Sequence, residues 1–145
     1  MNRKTMLERA LGFTLIELMV VVTIIAVISA MGVVSYTTAN RNARDGRRMA
    51  DLSQVRAALE LYRTDKGYYP KTSGNWAGLM TALTGYITPA TVTDPKPSVY
   101  SYSYTTAGNL GKTYELCAYK EKGGTDSCAG ACGSGIVCNY KVVNP

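Results

Sequence analysis

The residues with the clearest potential for chemistry lie near the start of the chain, where a glycine and a carboxylate flank the beginning of an apolar run. Gly12 has no side chain, so a protease can approach its backbone closely. Taken alone, Gly12 is better explained as a flexible glycine before a helix. Glu17 lies five residues further on, inside the apolar run that begins at Phe13. An ionisable group in a membrane-spanning segment costs about 3 kcal/mol and usually marks function, so Glu17 is predicted to have a compensating partner.

The apolar run from Phe13 to Val34 is predicted to cross a membrane, because about 20 such residues span a hydrocarbon core of about 30 Å. Two other interpretations stay open. Glu17 would also be stable near the membrane surface, one turn into a helix whose positive dipole end favours an anion. The second interpretation is that the run is a secretory signal peptide cut after Ala30. Both Glu17 and the helical pattern that resumes past residue 46 argue against this interpretation.

The helix is expected to continue far beyond the apolar run, from Thr14 to about Arg63, because no proline occurs before Pro70. Apolar residues recur there at steps of three or four and predict one buried stripe: Met49, Leu52, Val55, Leu59 and Tyr62. The opposite, solvated face is predicted to carry Asp51, Arg56 and Arg63. Gly67 favours the end of the helix.

The second half of the chain predicts a short helix at 76–83 followed by strands. Residues 99–105 alternate tyrosine and serine, and 114–120 and 136–143 are rich in β-favouring residues. Glycine and asparagine at 107–111 favour a turn between the first two strands. The fold class predicted is α+β, with a small antiparallel sheet packed on the helical stripe. The tyrosines are predicted to lie in the core or in a protein interface, with a stacking role as the alternative.

Four cysteines lie in the last thirty residues, which fits a C-terminal region that reaches an oxidising compartment. Disulfides are predicted, and three pairings are open. A zinc site is the alternative, disfavoured by the irregular spacing and the absence of histidine. The candidates are Cys117, Cys128, Cys132 and Cys138.

The charge pattern restricts function only loosely. The chain has 16 Lys and Arg against 10 Asp and Glu, so anionic lipid, a host surface or DNA all remain open as partners. Four arginines between residues 41 and 48 are interpreted as a solvated helix face or as inter-subunit charge pairs, with a DNA-binding patch as the alternative. No histidine, nucleophile motif or phosphate loop occurs. We therefore predict no enzyme activity, cofactor or metal site.

A resemblance to a known family adds to this interpretation. Gly12-Phe13-Thr14-Leu15-Ile16-Glu17 resembles the prepilin processing motif of type IV pilins and type II secretion pseudopilins. The resemblance implies that prepilin peptidase cuts between Gly12 and Phe13 and that Phe13 is N-methylated. It also implies that Glu17 pairs with the freed amine of a neighbouring subunit and sets the register of assembly. Residues 51–70 are similar to the helix end and following turn of major pseudopilins and short pilins.

The resemblance also implies an organisation: a leader at 1–12, a transmembrane and filament-core helix at 13–35, and a globular head at 36–145. The implied function is a structural subunit of a type IV pilus that serves adhesion, motility or DNA uptake. The alternative is the major pseudopilin of a type II secretion system. Implied partners are copies of the same chain in a helical filament, prepilin peptidase, and an assembly platform with its ATPase. The subunit would be a single-pass cytoplasmic membrane protein first and part of an extracellular filament afterwards.

Two departures from the family pattern occur. The proline that many pilins carry about twenty residues into the mature chain is replaced by Val34, with Gly32 nearby. The calcium loop of major pseudopilins has no clear counterpart in the tail, where cysteine bridges are expected to act as the clamp instead.

Overall fold

The computed structural model of the protein describes residues 12–72, 74–88, 92–107 and 111–144. The elements follow the order α1 (Leu15–Lys66), α2 (Trp76–Ala82), β1 (Ser103–Ala107), β2 (Thr113–Ala118) and β3 (Tyr140–Val143). Most of the predicted leader, and the middle of the predicted turn at 107–111, lie outside the described residues. The chain divides into two units, Met1–Thr38 and Ala39–Pro145, which we call the N-terminal unit and the head.

Helix α1 has 52 residues and confirms the single long helix that the sequence predicts. It ends three residues later than expected, and Gly67 closes it. The backbone of Gly67 has a φ of 80°, which is the left-handed region where glycine carries no steric penalty. Its N–H donates to the carbonyl of Arg63 at 2.7 Å, so one of the unpaired carbonyls of the last turn is satisfied.

The three strands of the head form an antiparallel meander in the order β1-β2-β3. Tyr104 pairs with Leu116, and Leu116 pairs with Val142. The predicted strands at 99–105, 114–120 and 136–143 correspond to β1, β2 and β3, but β1 and β3 each begin four residues later than predicted and β1 also ends two residues later. Tyr100 belongs to a turn, where its N–H donates to the carbonyl of Lys96 at 2.9 Å. In the stretch before Tyr140, the N–H of Cys132 donates to the carbonyl of Ile136 within the loop, whereas the N–H of Asn139 donates to the carbonyl of Ala118 in β2 at 3.2 Å.

The core of the head lies between the second half of α1, the short helix α2 and the sheet. Leu52, Val55 and Leu59 are fully buried against the cluster that contains Tyr104 and Leu116. The predicted stripe is thus confirmed at its centre. Its first residue, Met49, is exposed; Tyr62 packs at the edge of the core. The prediction for Asp51 is wrong, because this residue is buried.

Candidate assembly surface and the charge cluster of the head

The N-terminal unit presents apolar side chains on every side of its helix. Phe13 is 87% exposed and Ile16 is 72% exposed, and the other large apolar side chains as far as Met31 are also exposed. By length and composition, α1 is apolar enough to cross a membrane. Apolar surface of this extent in water would drive aggregation, so lipid or other helices must cover it.

Glu17 takes part in a capping box at the start of α1. The backbone N–H and the hydroxyl of Thr14 both donate to Oε2 of Glu17, each at 3.3 Å. In return, the N–H of Glu17 donates to Oγ1 of Thr14 at 3.2 Å. The carboxylate thereby satisfies donors of the first turn and benefits from the helix dipole. The sequence prediction missed the role of Thr14, although its Thr-x-x-Glu spacing is the signal of such a box.

The two predicted processing residues, Gly12 and Phe13, precede this cap and are exposed. A Cβ added at Gly12 would meet no described atom within 4 Å. The fold of this chain therefore sets no requirement for glycine at position 12. A requirement for glycine there would come from an enzyme that approaches the backbone.

The head contains a buried charge cluster centred on Arg48, which is itself fully buried. Its guanidinium donates to both carboxylate oxygens of Asp94, from Nε at 2.8 Å and from Nη2 at 3.0 Å. Nη1 donates to Asp45 at 2.8 Å and to Glu121 at 3.2 Å. A bidentate pair of this kind is among the strongest polar contacts in proteins. The cluster joins α1 to the segment before β1 and to the loop after β2.

A second layer of cations completes the cluster around Glu121. Arg44 forms a bidentate pair with this carboxylate, with both N–O distances at 2.6 Å. Nζ of Lys96 lies 3.2 Å from the same carboxylate. Three cations and three carboxylates thus lie together, so the cluster compensates its charge internally.

The hydrogen bonds of the cluster shift two pKa values. Hydrogen bonds from Arg44 first, and from Lys96 and Arg48 as well, outweigh the effect of burial and lower the pKa of Glu121 to about 2. Burial alone would lower the pKa of Arg48, but its hydrogen bonds and charge contacts with Asp94, Asp45 and Glu121 raise it. Both groups are therefore charged at neutral pH.

The prediction of a solvated arginine face is correct for Arg41 and Arg47, which are exposed. It is wrong for Arg48, which is buried, and for Arg44, whose side chain is 26% exposed. The partners of these two arginines include Asp94 and Glu121, which are 46 to 77 residues away along the chain. A pattern of nearby residues could not have shown those contacts.

Tyrosine hydroxyls satisfy two further carboxylates of the head. Tyr102 donates to the buried Asp51 at 2.7 Å. Tyr69 and Tyr114 both donate to Glu60, at 2.9 and 3.2 Å. Burial, followed by the hydrogen bond to Asp51, raises the pKa of Tyr102, so its hydroxyl keeps its proton. The core role predicted for the tyrosines is confirmed for these three.

The four cysteines form two disulfides in the tail, where the sequence left three pairings open. One joins Cys117 of β2 to Cys128, with the Cα atoms 6.3 Å apart. The other joins Cys132 to Cys138, with the Cα atoms 5.1 Å apart. Both Cα distances lie in the ordinary range for disulfides. The first bridge ties the irregular segment between β2 and β3 to the sheet, and the second closes a short loop within that segment.

Fold and site together define a class. A capped, apolar N-terminal helix that continues into a head with a small antiparallel sheet is the architecture of a pilin-like protein. The prokaryotic N-terminal methylation motif matches residues 9–33, and the profile of type II secretion system protein G matches residues 35–137. Since these matches cover most of the sequence, the chain belongs to the family of type IV pilins and type II secretion pseudopilins.

Relatives of both kinds are similar to this chain. The type II secretion system core protein G of Pseudomonas aeruginosa is 30% identical over 136 residues, which covers 81% of this chain and 90% of the relative. The type IV wide pilus major component PilA4 of Thermus thermophilus is 35% identical over 118 residues, which covers 81% and 87%. The core protein G of Escherichia coli is 31% identical, with 53% of each chain covered. No solved structure matches the chain significantly.

Membership of the family carries a general function. Its members are structural proteins, in general without enzyme activity, and they assemble into helical filaments after processing by prepilin peptidase. The motif and the apolar helix fit a membrane-anchored precursor that becomes part of an extracellular filament.

Proposed function

We propose that this chain is a structural pilin of a type IV pilus. Prepilin peptidase removes Met1 to Gly12 and methylates the new N-terminal Phe13. The processed subunit then leaves the membrane and polymerises into a surface filament that serves adhesion, motility or DNA uptake. The observation that carries the proposal is the apolar surface of the N-terminal unit with a single carboxylate, Glu17, at its start.

The proposed assembly step exchanges one apolar environment for another. Lipid tails are as apolar as leucine side chains, so moving the N-terminal unit from lipid into packed helices gains little hydrophobic free energy. Close packing and the pairing of Glu17 with the freed amine of a neighbouring Phe13 would supply specificity. The work of extraction would come from an assembly platform and its ATPase.

Glu17 is suited to this pairing because the capping box leaves it exposed. One of its oxygens, Oε2, accepts the two bonds from Thr14. The other oxygen accepts no hydrogen bond from the described residues. A carboxylate with one oxygen held in its own helix and the other open can accept a bond from the amine of a neighbour.

The tail supports a surface pilus over a pseudopilus. Two disulfides and the charge cluster clamp the segments around β2 and β3, and Glu121, an acidic side chain of the tail, is already bound to Arg44, Arg48 and Lys96. Disulfides suit the periplasm and the exterior equally, because both are oxidising. The preference for a surface pilus rests instead on covalent bridges in the part of the tail where major pseudopilins carry a calcium loop.

The major pseudopilin of a type II secretion system is the second candidate. The observation that favours it is the match of the protein G profile to residues 35–137. Most of the relatives at comparable identity also carry that name.

Mass analysis of filaments sheared from the native host tests the processing. We expect a chain that begins at N-methylated Phe13 and is lighter than its reduced form by four hydrogens, two for each disulfide. A chain that begins at Met1, or at Met31 after a cut behind Ala30, would refute the prepilin interpretation.

The location of the processed protein separates the two candidates. A pilin is recovered in the sheared surface fraction, and deletion of its gene removes the filaments. Processed protein that stays in the cell envelope, together with a defect in protein secretion in the deletion strain, would support the pseudopilin.

A further inference from the structure

Three of the four cysteine sulfurs of the head lie in one group, although they belong to two different disulfides. The Sγ atoms of Cys117, Cys128 and Cys138 all lie within 4.8 Å of one another. Cys117 and Cys128 are bonded to each other, whereas Cys138 is bonded to Cys132. The sulfur of Cys132 is not a member of this group. The fold therefore places one sulfur of the second bridge beside both sulfurs of the first.

Backbone contacts support this proximity. Cys117 lies in β2, one residue before the end of the strand at Ala118. The N–H of Asn139 donates to the carbonyl of Ala118 at 3.2 Å. Because Asn139 follows Cys138 directly in the chain, this hydrogen bond holds Cys138 near the end of β2. The approach of Cys138 to the first bridge thus has a contact of its own in the backbone.

The cysteines differ in their exposure to solvent. Cys117 and Cys138 are 1% exposed and Cys132 is fully buried, whereas Cys128 is partly exposed. A thiolate opens a disulfide by attacking one of its sulfurs, so access decides which sulfur is attacked. An external thiolate therefore enters at Cys128. The attack forms a mixed disulfide at Cys128 and releases Cys117 as a thiolate.

A thiolate released at Cys117 lies beside the second bridge. Its sulfur is within 4.8 Å of the Cys138 sulfur. Since a disulfide bond is about 2.05 Å long, a movement of less than about 3 Å brings the two sulfurs to bonding distance. Attack on Cys138 forms a Cys117–Cys138 bond and releases Cys132 as a thiolate. Cys132 is separated from Cys128 by three residues, so it can attack the mixed disulfide there and release the external thiolate.

The three exchanges conserve both disulfides and thiols. Each step forms one S–S bond and breaks another, and the sulfur that leaves is the thiolate that attacks next. The external thiolate is regenerated in the last step, so no oxidant or reductant is consumed. The products are nested bridges, with Cys117–Cys138 enclosing Cys128–Cys132, in place of the two consecutive bridges of the structure.

We propose that Cys128 is the site at which a thiol–disulfide oxidoreductase attacks this head, and that the nested pairing is the competing product of oxidative folding. The partner is defined by its chemistry: a protein of the oxidising compartment that presents a reactive thiolate to a partly exposed disulfide. Its action returns the nested pairing to the pairing of the structure. A pilin and a pseudopilin would have the same requirement, since the proposal depends on the head alone.

The backbone favours the pairing of the structure over the nested one. The N–H of Cys132 donates to the carbonyl of Ile136 at 2.9 Å, and the carbonyl of Cys132 accepts from the N–H of Ser101 at 2.9 Å. Both contacts hold Cys132 in the loop that returns to Cys138. A bond between Cys132 and Cys128 would pull Cys132 out of this loop. Two hydrogen bonds of ordinary strength correspond to a preference of about tenfold to thirtyfold.

The first test locates the attack of a small thiolate on the full chain in detergent micelles. The variant Cys132→Ser with Cys138→Ser keeps the first bridge alone, so a mixed disulfide cannot be passed on to the second. Reduced glutathione is the probe, rapid alkylation captures the released thiol, and peptide mass spectrometry locates the adduct. We expect glutathione on Cys128 at least about tenfold more often than on Cys117, because Cys117 is buried.

The second test compares two variants that each keep two cysteines. Cys128→Ser with Cys132→Ser keeps Cys117 and Cys138, whose sulfurs lie together. The matched control, Cys128→Ser with Cys138→Ser, keeps Cys117 and Cys132. Both are reduced and then placed in a buffer of reduced and oxidised glutathione, where alkylation and mass count the free thiols. We expect the first variant to close its bridge at least about tenfold faster than the control. Near-ultraviolet circular dichroism of Trp76 reports whether each head is folded.

The wild-type chain supplies a measurement that does not depend on the folding of a variant. In the same buffer, about 3 to 10% of the molecules should acquire the nested pairing, detected by mass spectrometry as a peptide with a Cys128–Cys132 bond. Three results would overturn the proposal: glutathione on Cys117 as often as on Cys128, equal closure of the two-cysteine variants, or no nested pairing in the wild-type chain.

Discussion

Replacing Arg48 with methionine removes the central cation of the buried charge cluster and keeps a side chain of similar length. Asp94 is affected most, because its side chain is only 1% exposed and both of its oxygens bind the guanidinium. It keeps one hydrogen bond, from the backbone N–H of Lys96 at 2.8 Å. Glu121 retains Arg44 and Lys96. The substitution thus leaves Asp94 as a buried charge without a counterion.

We expect the free energy of unfolding to fall by about 3 to 5 kcal/mol at pH 7, the usual cost of removing one partner from a buried ion pair. For a head of this size, the midpoint of thermal unfolding should fall by about 12 to 20 °C. The midpoint can be followed by near-ultraviolet circular dichroism in detergent, since Trp76 packs against Tyr102 with ring centroids 5.1 Å apart. The matched control is Arg47→Met at the exposed neighbouring position, with an expected change below about 0.5 kcal/mol.

A second substitution separates an electrostatic cause from simple loss of packing. Adding Asp94→Asn to Arg48→Met removes the uncompensated charge, so the double variant should recover part of the stability at pH 7. The reasoning is refuted if Arg48→Met and Arg47→Met unfold within about 1 kcal/mol of each other at pH 7. A double variant Arg48→Met and Asp94→Asn that is no more stable than Arg48→Met alone would refute it equally.

Three further predictions follow from other carboxylates. Glu17→Gln keeps the helix cap but removes the charge that is offered to a neighbouring amine. The yield of sheared filaments should therefore fall about tenfold, while the midpoint of thermal unfolding of the head stays unchanged. A normal yield of filaments would contradict the proposed pairing. Because the pKa of Glu121 is lowered from 4.5 to about 2, the stability that its carboxylate contributes to the head is complete above pH 4.5 and is lost as the pH falls towards 2. Glu121→Gln should flatten the dependence of the unfolding midpoint on pH over this range. An unchanged slope would argue against this contribution of Glu121. Tyr102→Phe leaves the buried Asp51 without its hydroxyl donor, so the free energy of unfolding measured in urea should fall by about 1 to 3 kcal/mol. The control is Tyr68→Phe at an exposed position, where the free energy of unfolding should fall by less than about 0.5 kcal/mol.

Local sequence patterns were sufficient for the long helix and the sheet. The 3.6-residue period that places Leu52, Val55 and Leu59 on one face is a property of neighbouring residues, and the helix geometry follows from it. The strands were found for the same reason, although their ends depended on turns. The hydrogen bond from the N–H of Tyr100 to the carbonyl of Lys96 closes a turn, so Tyr100 lies outside the strand that the alternating tyrosines predicted.

The charged residues were the main failure of sequence reasoning in the head. Asp51 was placed on the solvated face because it is charged, and yet it is buried beneath Tyr102, 51 residues away. Arg48 looks identical in the sequence to Arg47, one residue before it. A charge can be buried only where partners converge on it, and the sequence does not show which distant carboxylates will do so.

The sequence by itself therefore determined the features that depend on contiguous residues: the apolar run that begins at Phe13, the N-terminal methylation motif and the course of the helix and strands. Only the tertiary structure decided which arginine is buried and which cysteines pair. The physical reason is the separation along the chain of the residues that each interaction joins. Helix period and hydrophobicity act between neighbours, whereas ion pairs and disulfides join residues that the fold brings together, as it does Arg48 and Asp94 across 46 positions.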